Sequence, residues 1–91
     1  MSHALTLAAM RASLQEKLAP THLELIDESA AHAGHSGARD DGHPSHVRVR
    51  VASPLFAGRS RVACHRLVYD ALHDFMARGL HALAIELIRP V

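Results

Sequence analysis

Residues 45–53 read SHVRVRVAS, the most regular stretch of the chain and the one that decides its fold. Valine alternates with a longer or polar residue along it, which is the period-two pattern of a β-strand with one buried face. The side chains predicted to face a core are Val47, Val49 and Val51. Those predicted to face water are His46, Arg48 and Arg50.

The sequence before this strand predicts a helix followed by another strand. Four apolar residues recur at helical spacing, namely Leu7, Met10, Leu14 and Leu18. Polar residues separate them, so residues 4–18 are predicted to form an amphipathic helix that Pro20 ends. Residues 21–28 return to period two, with Leu23 and Leu25 on one side, and are predicted to form a strand.

The sequence after the central strand predicts a long helix and a third strand. Residues 54–58 break the strand, and Phe56 is expected to plug the core there. Ser60 is predicted to cap the helix, and Gly79 to end it in the left-handed conformation. The buried stripe of this helix is predicted to be Val68, Leu72, Phe75 and Met76. Residues 80–89 follow as the third strand, with one face made of His81, Leu83, Ile85 and Leu87.

These elements run in the order helix, strand, strand, helix, strand. The first two strands are predicted to pair antiparallel, and the second helix to make a right-handed crossover between parallel strands. We therefore predict an α/β fold of the α+β kind, with a mixed three-stranded sheet that carries both helices on one face. A chain of 91 residues is enough for one domain, residues 1–91, and its core must be aliphatic because only 3% of the residues are aromatic.

Composition limits the compartment and the partners. Cys64 is the one cysteine, so no internal disulfide can form, and we expect a reducing compartment, the cytoplasm. No secretory signal or membrane span is expected, because Arg11, Glu16 and Lys17 interrupt the N-terminal apolar stretch. A net charge of +1 is too small to indicate general affinity for nucleic acid.

No residue pattern indicates an enzyme. Cys64 and His65 are adjacent, but successive helical residues point about 100° apart and cannot form a nucleophile–base pair. Cys64 falls on the apolar stripe of its helix, which favours a buried structural thiol. A serine triad built from Asp27, Ser29 and a loop histidine lacks the turn that such a nucleophile needs. We therefore predict a binding protein.

Histidine is the unusual residue, with 9 in 91 positions. His32 and His35 lie three residues apart in a long polar loop over residues 29–44, and His43 and His46 lie three apart where that loop ends. This spacing permits shared metal coordination, whereas a structural zinc site needs four convergent ligands that normally include cysteine. We predict half a site, in which one or two imidazoles complete a metal centre held mainly by another molecule.

His81 stands apart from the loop. Strand parity places it on the face that should be buried, where a histidine with satisfied hydrogen bonds at the edge of the core is the simpler interpretation. Its position just after the Gly79 turn also puts it at a strand end, where a side chain can reach solvent and a partner.

The arginines allow two interpretations. Five follow the central strand and the helix after it: Arg48, Arg50, Arg59, Arg61 and Arg66. Together they are compatible with a phosphate-binding surface. Arg48 and Arg50 also lie across from Glu24 if the first two strands pair, and cross-strand charge pairs are ordinary on a solvated face. The second interpretation is favoured.

Several stretches, taken in order, resemble the BolA family. They are DESAAHAGHSG from residue 27, SHVRVRVAS from 45, FAG from 56, HRLVY from 65 and GLHALAIELIRP from 79. The resemblance covers residues 7–90. It implies an α-β-β-α-α-β order similar to a class II KH domain, with a short helix near residues 60–64 before the long one. The GxxG loop with which KH modules clamp nucleic acid is absent, which argues against RNA binding of that kind.

The resemblance implies an adaptor that partners a monothiol glutaredoxin. In that function the two proteins share a [2Fe-2S] cluster, with a glutaredoxin cysteine and a glutathione thiolate on the partner's side. The implied ligands from this chain are His81 and a loop histidine, His32 first and His35 next. Imidazole in place of thiolate raises the potential of such a cluster, as in Rieske centres. Alone, the protein is expected to be a monomer.

The resemblance also implies an alternative, because some members of the family look like DNA-binding transcriptional regulators. Their helix-turn-helix-like region would be formed here by Arg59, Arg61, His65 and Arg66. Cys64 replaces the first arginine of the family's arginine-histidine-arginine motif, and the lost cation weakens the case for DNA binding. The two functions are compatible in one protein.

Overall fold

The computed structural model describes residues 5–29 and 44–88. Within these ranges the chain forms two α-helices and three β-strands in the predicted order, with a 3₁₀ turn between β2 and the second helix. They are α1 (Leu7–Leu18), β1 (His22–Asp27), β2 (His46–Ala52), the 3₁₀ turn (Pro54–Phe56), α2 (Arg61–Ala77) and β3 (Ala82–Leu87). Neither helix is long and apolar enough to cross a membrane.

The strand predicted over residues 45–53 is β2, and it is the centre of the sheet. β1 pairs with it antiparallel, and β3 pairs with it parallel. The register places Leu25 on one side of Val49 and Ile85 on the other. The predicted mixed three-stranded sheet is confirmed.

The core lies between one face of this sheet and both helices. The three valines of β2 are at most 1% exposed. The helix residues buried with them are Met10, Leu14, Leu18, Cys64, Val68, Ala71, Leu72 and Phe75. Met76, predicted for this stripe, is only half-buried. The opposite face of β2 carries half-buried Arg48 and exposed Arg50, so the helices cover one face of the sheet, as predicted.

The helix ends follow local capping chemistry. The hydroxyl of Ser60 accepts a hydrogen bond from the Ala63 N–H at 3.1 Å, which confirms the predicted cap of α2. Thr6 caps α1 in the same way, so that helix begins at Leu7 and not at residue 4. Gly79 has a φ of 119°, and the positive value predicted for it is confirmed.

The short helix expected near residues 60–64 lies earlier in the chain, so its predicted place was wrong. The helical turn is Pro54–Phe56, where Ser53 supplies the capping side chain and proline supplies a φ already suited to a helix start. Residues 61–64 instead form the first turn of α2. Phe56 is 4% exposed and fills the end of the core, as predicted.

Burial of α2 against the sheet can be tested with two valines on that helix. Val68→Ala is expected to lower the free energy of unfolding by about 2 kcal/mol, because it removes buried methyl groups and leaves a cavity. Val62 is 60% exposed, so Val62→Ala should change it by less than about 0.5 kcal/mol. Both substitutions replace valine by alanine on the same helix. Chemical denaturation measures both, and equal losses would contradict the packing described above.

Candidate functional site

Two histidines meet at the end of the sheet where β2 and β3 begin. His46 is the first residue of β2, and His81 immediately precedes β3. Because these strands are parallel, their starts lie at the same end of the sheet. The His81 and Ala82 N–H groups both donate to the Ser45 carbonyl, at 2.9 and 3.0 Å. The backbone therefore fixes the position of His81 relative to His46.

The two imidazoles are neighbours. Their ring centroids are 5.3 Å apart, and the ring planes are tilted by 56°. His46 is half-buried, whereas His81 is exposed. One ring is thus anchored at the sheet and the other is open to a partner.

Hydrogen bonds with two serines surround His46. Ser45 has no exposed surface, and its Oγ lies 2.9 Å from Nδ1 of His46, within hydrogen-bonding distance. The Ser29 hydroxyl accepts from the Ser45 N–H at 2.8 Å and from the His46 N–H at 3.3 Å. Asp27 in turn accepts from the Ser29 N–H at 2.9 Å. The end of β1 and the start of β2 are thereby tied together beneath the histidine pair.

His81 does not lie in the buried row in which strand parity placed it, and that prediction was wrong. β3 begins at Ala82, and the N–H groups of His81 and Ala82 both donate to the Ser45 carbonyl. The side chain of His81 is exposed, which confirms that it can reach solvent. The rest of the row, Leu83, Ile85 and Leu87, is half-buried because β3 is an edge strand.

The loop histidines His32, His35 and His43 lie outside the described residues. Their suggested roles therefore stay predictions. Within 5–29 and 44–88, no group of three or more histidine, cysteine or acidic side chains could hold a metal ion.

The sequence spacing indicates His43 as the neighbour of His46 and does not indicate His81. The signal was present, since a parallel crossover brings the starts of two strands to one end of a sheet. What the sequence lacked was the register, which sets His46 opposite Ala82.

Cys64 takes no part in this site. Its side chain is completely buried on α2, and its thiol donates to the Phe56 carbonyl at 3.7 Å. The prediction of a buried structural thiol is confirmed.

The outer face of the sheet carries a network of ion pairs. Arg48 contacts Glu28 at 2.9 Å and Glu86 at 2.8 Å, while Arg50 contacts Glu24 and Glu86, each at 3.4 Å. The expected pairing with Glu24 is thus confirmed for Arg50, whereas Arg48 uses two other glutamates. Both arginines are compensated by carboxylates, which favours the solvated-face interpretation over a phosphate surface.

This network shifts the pKa of two of its members. The hydrogen bond from Arg48 is the main cause that lowers the pKa of Glu86, and partial loss of hydration opposes it while Arg50 adds to the lowering. Hydrogen bonds to Glu28 and Glu86 raise the pKa of Arg48. The charged forms are favoured on both sides of the pair.

Three of the four predicted DNA-binding residues lie on α2, away from the ion-pair network. Arg61, His65 and Arg66 line one shallow depression of about 370 Å³, together with Val62 and Tyr69. Both apolar members are exposed, Val62 by 60% and Tyr69 by 44%.

Arg59 does not join this group. It lies before the helix, and its Nε donates to the Leu55 carbonyl at 2.8 Å. The structure thus brings together three of the four predicted residues.

Comparison with known proteins agrees with the fold and the motifs. Residues 14–91 match the family model described as BolA-like protein. The chain is 48% identical over 77 residues to a Sinorhizobium protein named "Uncharacterized protein in cobS 5'region", a match that covers 85% of this chain and 83% of that protein. It is 43% identical over 83 residues to BolA-like protein 1 of Mus musculus, covering 91% of this chain and 57% of that relative.

A solved structure shows the same architecture. The BolA domain of SufE1 from Arabidopsis thaliana superposes with a TM-score of 0.78 at 40% identity, over 91% of this chain and 90% of that one. The two-helix, three-stranded arrangement is therefore that of a known structural family.

The ion-pair network predicts a specific pH dependence. The pKa of Glu86 in the folded chain is lower than the ordinary value of 4.5. Its pairing with arginine therefore stabilises the fold above pH 4.5, and this stabilisation is lost as pH falls through the lowered pKa. Glu86→Gln should therefore reduce the melting temperature above about pH 5.5, and the difference from wild type should shrink progressively as pH falls below 4.5. Thermal unfolding followed by circular dichroism measures it.

Glu16→Gln is the matched control, because Glu16 is exposed on α1 and makes no ion pair with any residue that the structure describes. A difference for Glu86→Gln that is constant with pH, or equal to that of Glu16→Gln, would contradict the role of the network.

Proposed function

The chain belongs to the BolA family, and we propose that it is an adaptor that binds a monothiol glutaredoxin and co-ligates a [2Fe-2S] cluster through His81. The observation that carries the proposal is the exposed imidazole of His81 just before β3, which lies beside a second imidazole on a main chain fixed by hydrogen bonds to Ser45. The role proposed for this arrangement is binding.

The donor set suits the cluster. Imidazole is an established ligand of [2Fe-2S] centres, where it raises the reduction potential relative to thiolate. When bound, such a cluster supplies transferable iron and sulfide or a redox signal. An imidazole at an exposed strand end can be one ligand of a centre whose other ligands come from another molecule. In this proposal those are a glutaredoxin cysteine and glutathione, with His32 as the first choice for a second ligand from this chain and His35 as the next.

This chain contributes a ligand residue, His81, whose backbone position is fixed. The Ser45 carbonyl accepts from the His81 N–H, so the residue approaches a partner from a fixed backbone. Holding a ligand on a rigid strand end reduces the ordering cost of forming a shared site. A reducing compartment, such as the cytoplasm, would keep the partner thiols available for this function.

The first test is anaerobic reconstitution with a monothiol glutaredoxin, glutathione, iron and sulfide. Wild type is expected to give a heterodimer with visible absorption and circular dichroism distinct from those of the glutaredoxin alone. His81→Ala should abolish that spectrum, because it removes the exposed ligand. His73→Ala is the matched control, since His73 is an exposed histidine on α2.

An unchanged glutaredoxin spectrum on addition of the wild-type chain would overturn the adaptor proposal. A heterodimer spectrum that survives His81→Ala would overturn the assignment of the ligand. Loss of the spectrum in both histidine variants would also count against a specific role for His81.

A second candidate function, DNA binding, is favoured by one observation. Arg61, His65 and Arg66 converge on one exposed depression of α2, and this surface lies apart from the neutralised arginines of β2. A regulator would use these cations, with Arg59 before them, to contact phosphates.

Salt dependence tests this candidate. If phosphate contacts carry the binding, the logarithm of the binding constant should fall by about 0.9 per log unit of salt for each phosphate neutralised. Arg66→Ala removes one such contact and should make this slope shallower by about 0.9. Arg78→Ala is the control, because Arg78 is exposed at the far end of α2. Absence of binding to duplex DNA at low salt, or binding that does not depend on salt, would exclude the candidate.

A further inference from the structure

We propose that His46 and His81 form a two-imidazole site for a single divalent transition-metal ion, such as Zn²⁺ or Cu²⁺, in the free protein. The adaptor proposal uses His81 with a loop histidine and a partner, whereas this site needs neither. It is built from two strands of one sheet, and its members are 35 positions apart in the sequence.

The distance between the rings fits one shared ion. A metal bound to an imidazole nitrogen at about 2.1 Å lies about 3.2 Å from the ring centroid, so two imidazoles at a tetrahedral angle have centroids about 5 Å apart. The observed separation is 5.3 Å. The tilt of 56° between the planes is compatible with coordination, because each ring can rotate about its metal–nitrogen bond. The ring separation is therefore that expected of two imidazoles bound to one tetrahedral ion.

The buried Ser45 hydroxyl supplies the supporting contact that histidine ligands commonly have. A coordinated histidine usually donates its second ring N–H to an oxygen acceptor, which fixes its tautomer and orientation. The Oγ of Ser45 lies 2.9 Å from Nδ1 of His46 and is completely buried. In the metal-bound form Nδ1–H donates to this oxygen, and Nε2 binds the ion.

Hydrogen bonds fix the main chain of both ligand residues before the metal arrives. The Ser45 carbonyl accepts from the N–H groups of His81 and Ala82, and the Ser29 hydroxyl accepts from those of Ser45 and His46. Ordering of the ligands then costs little on binding.

The ligand type defines the class of ion. Imidazole suits zinc, copper and nickel, whereas magnesium and calcium prefer oxygen ligands. The order of affinity among divalent ions should place Cu²⁺ above both Ni²⁺ and Zn²⁺. Mg²⁺ should not compete for the site.

The test is a calorimetric titration of the free protein with Zn²⁺ at about pH 7.5, where imidazoles are mostly neutral. No glutaredoxin, glutathione or sulfide is present. The loop histidines are replaced by glutamine in the background variant, through His32→Gln, His35→Gln and His43→Gln. This background is expected to bind one Zn²⁺ per chain, and His46→Gln or His81→Gln should each weaken binding by about tenfold or more. His73→Gln, on α2, is the matched control.

Two results would overturn the site. One is a background variant that binds no zinc. The other is affinity that changes by less than about twofold in both His46→Gln and His81→Gln. The loss of affinity in the double variant is expected to be smaller than the sum of the losses in the two single variants, because the chelate is already broken when the first ligand is removed.

Nitrogen chemical shifts of the histidine rings give a second measurement that needs no variant in the site. Zn²⁺ should shift the ring nitrogens of His46 and His81 together and leave those of His22 and His73 unchanged. Shifts confined to other histidines would overturn the proposal.

These outcomes are distinguishable from failure of the adaptor function. Loss of zinc binding in His46→Gln with an intact glutaredoxin heterodimer spectrum supports this site and leaves the adaptor proposal standing. Unchanged zinc binding overturns this site whatever the heterodimer spectrum shows.

Discussion

Burial of the three valines on one face of β2 is the constraint on which the rest of this domain depends. Each is at most 1% exposed, and residues of both helices cover them. Their burial fixes which way β2 faces, because a slip of one residue would turn the valines to water and Arg48 and Arg50 into the core. Both edge strands take their register from β2. The position of His46, at the start of that strand, is therefore set by the same packing.

Features that depend on neighbouring residues could be predicted from the sequence. The alternation of β2, the cap at Ser60 and the positive φ of Gly79 each need only a few positions to specify them. The place of the short helix could not be predicted in this way. The resemblance gave its existence, but Pro54 and the capping side chain of Ser53 put it before Gly58, at the end of the core that Phe56 closes.

The candidate site was predictable only in part, because its geometry depends on contacts between distant segments. The alternating pattern assigned His81 to a face of the third strand but could not show that β3 begins at the next residue, Ala82. That start is set by two hydrogen bonds to the Ser45 carbonyl, from a residue far away in the chain. The same limit applies to Arg48: Glu24 was visible as a cross-strand neighbour of β2, whereas Glu86 enters through the register of β3.

Shared use of His81 links the two metal functions proposed for this end of the sheet. One imidazole nitrogen cannot bind a mononuclear ion and a cluster at the same time. Each form would therefore lower the apparent affinity for the other, by the mass-action relation for ligands that compete for one state. His46 gives the two forms different ligand sets, since it belongs to the mononuclear site while the cluster proposal takes its second ligand from the loop. If both hold, the free concentration of a divalent ion would set how much of the chain is available to the glutaredoxin. The fixed backbone at Ser45 would then serve both states without a change of fold.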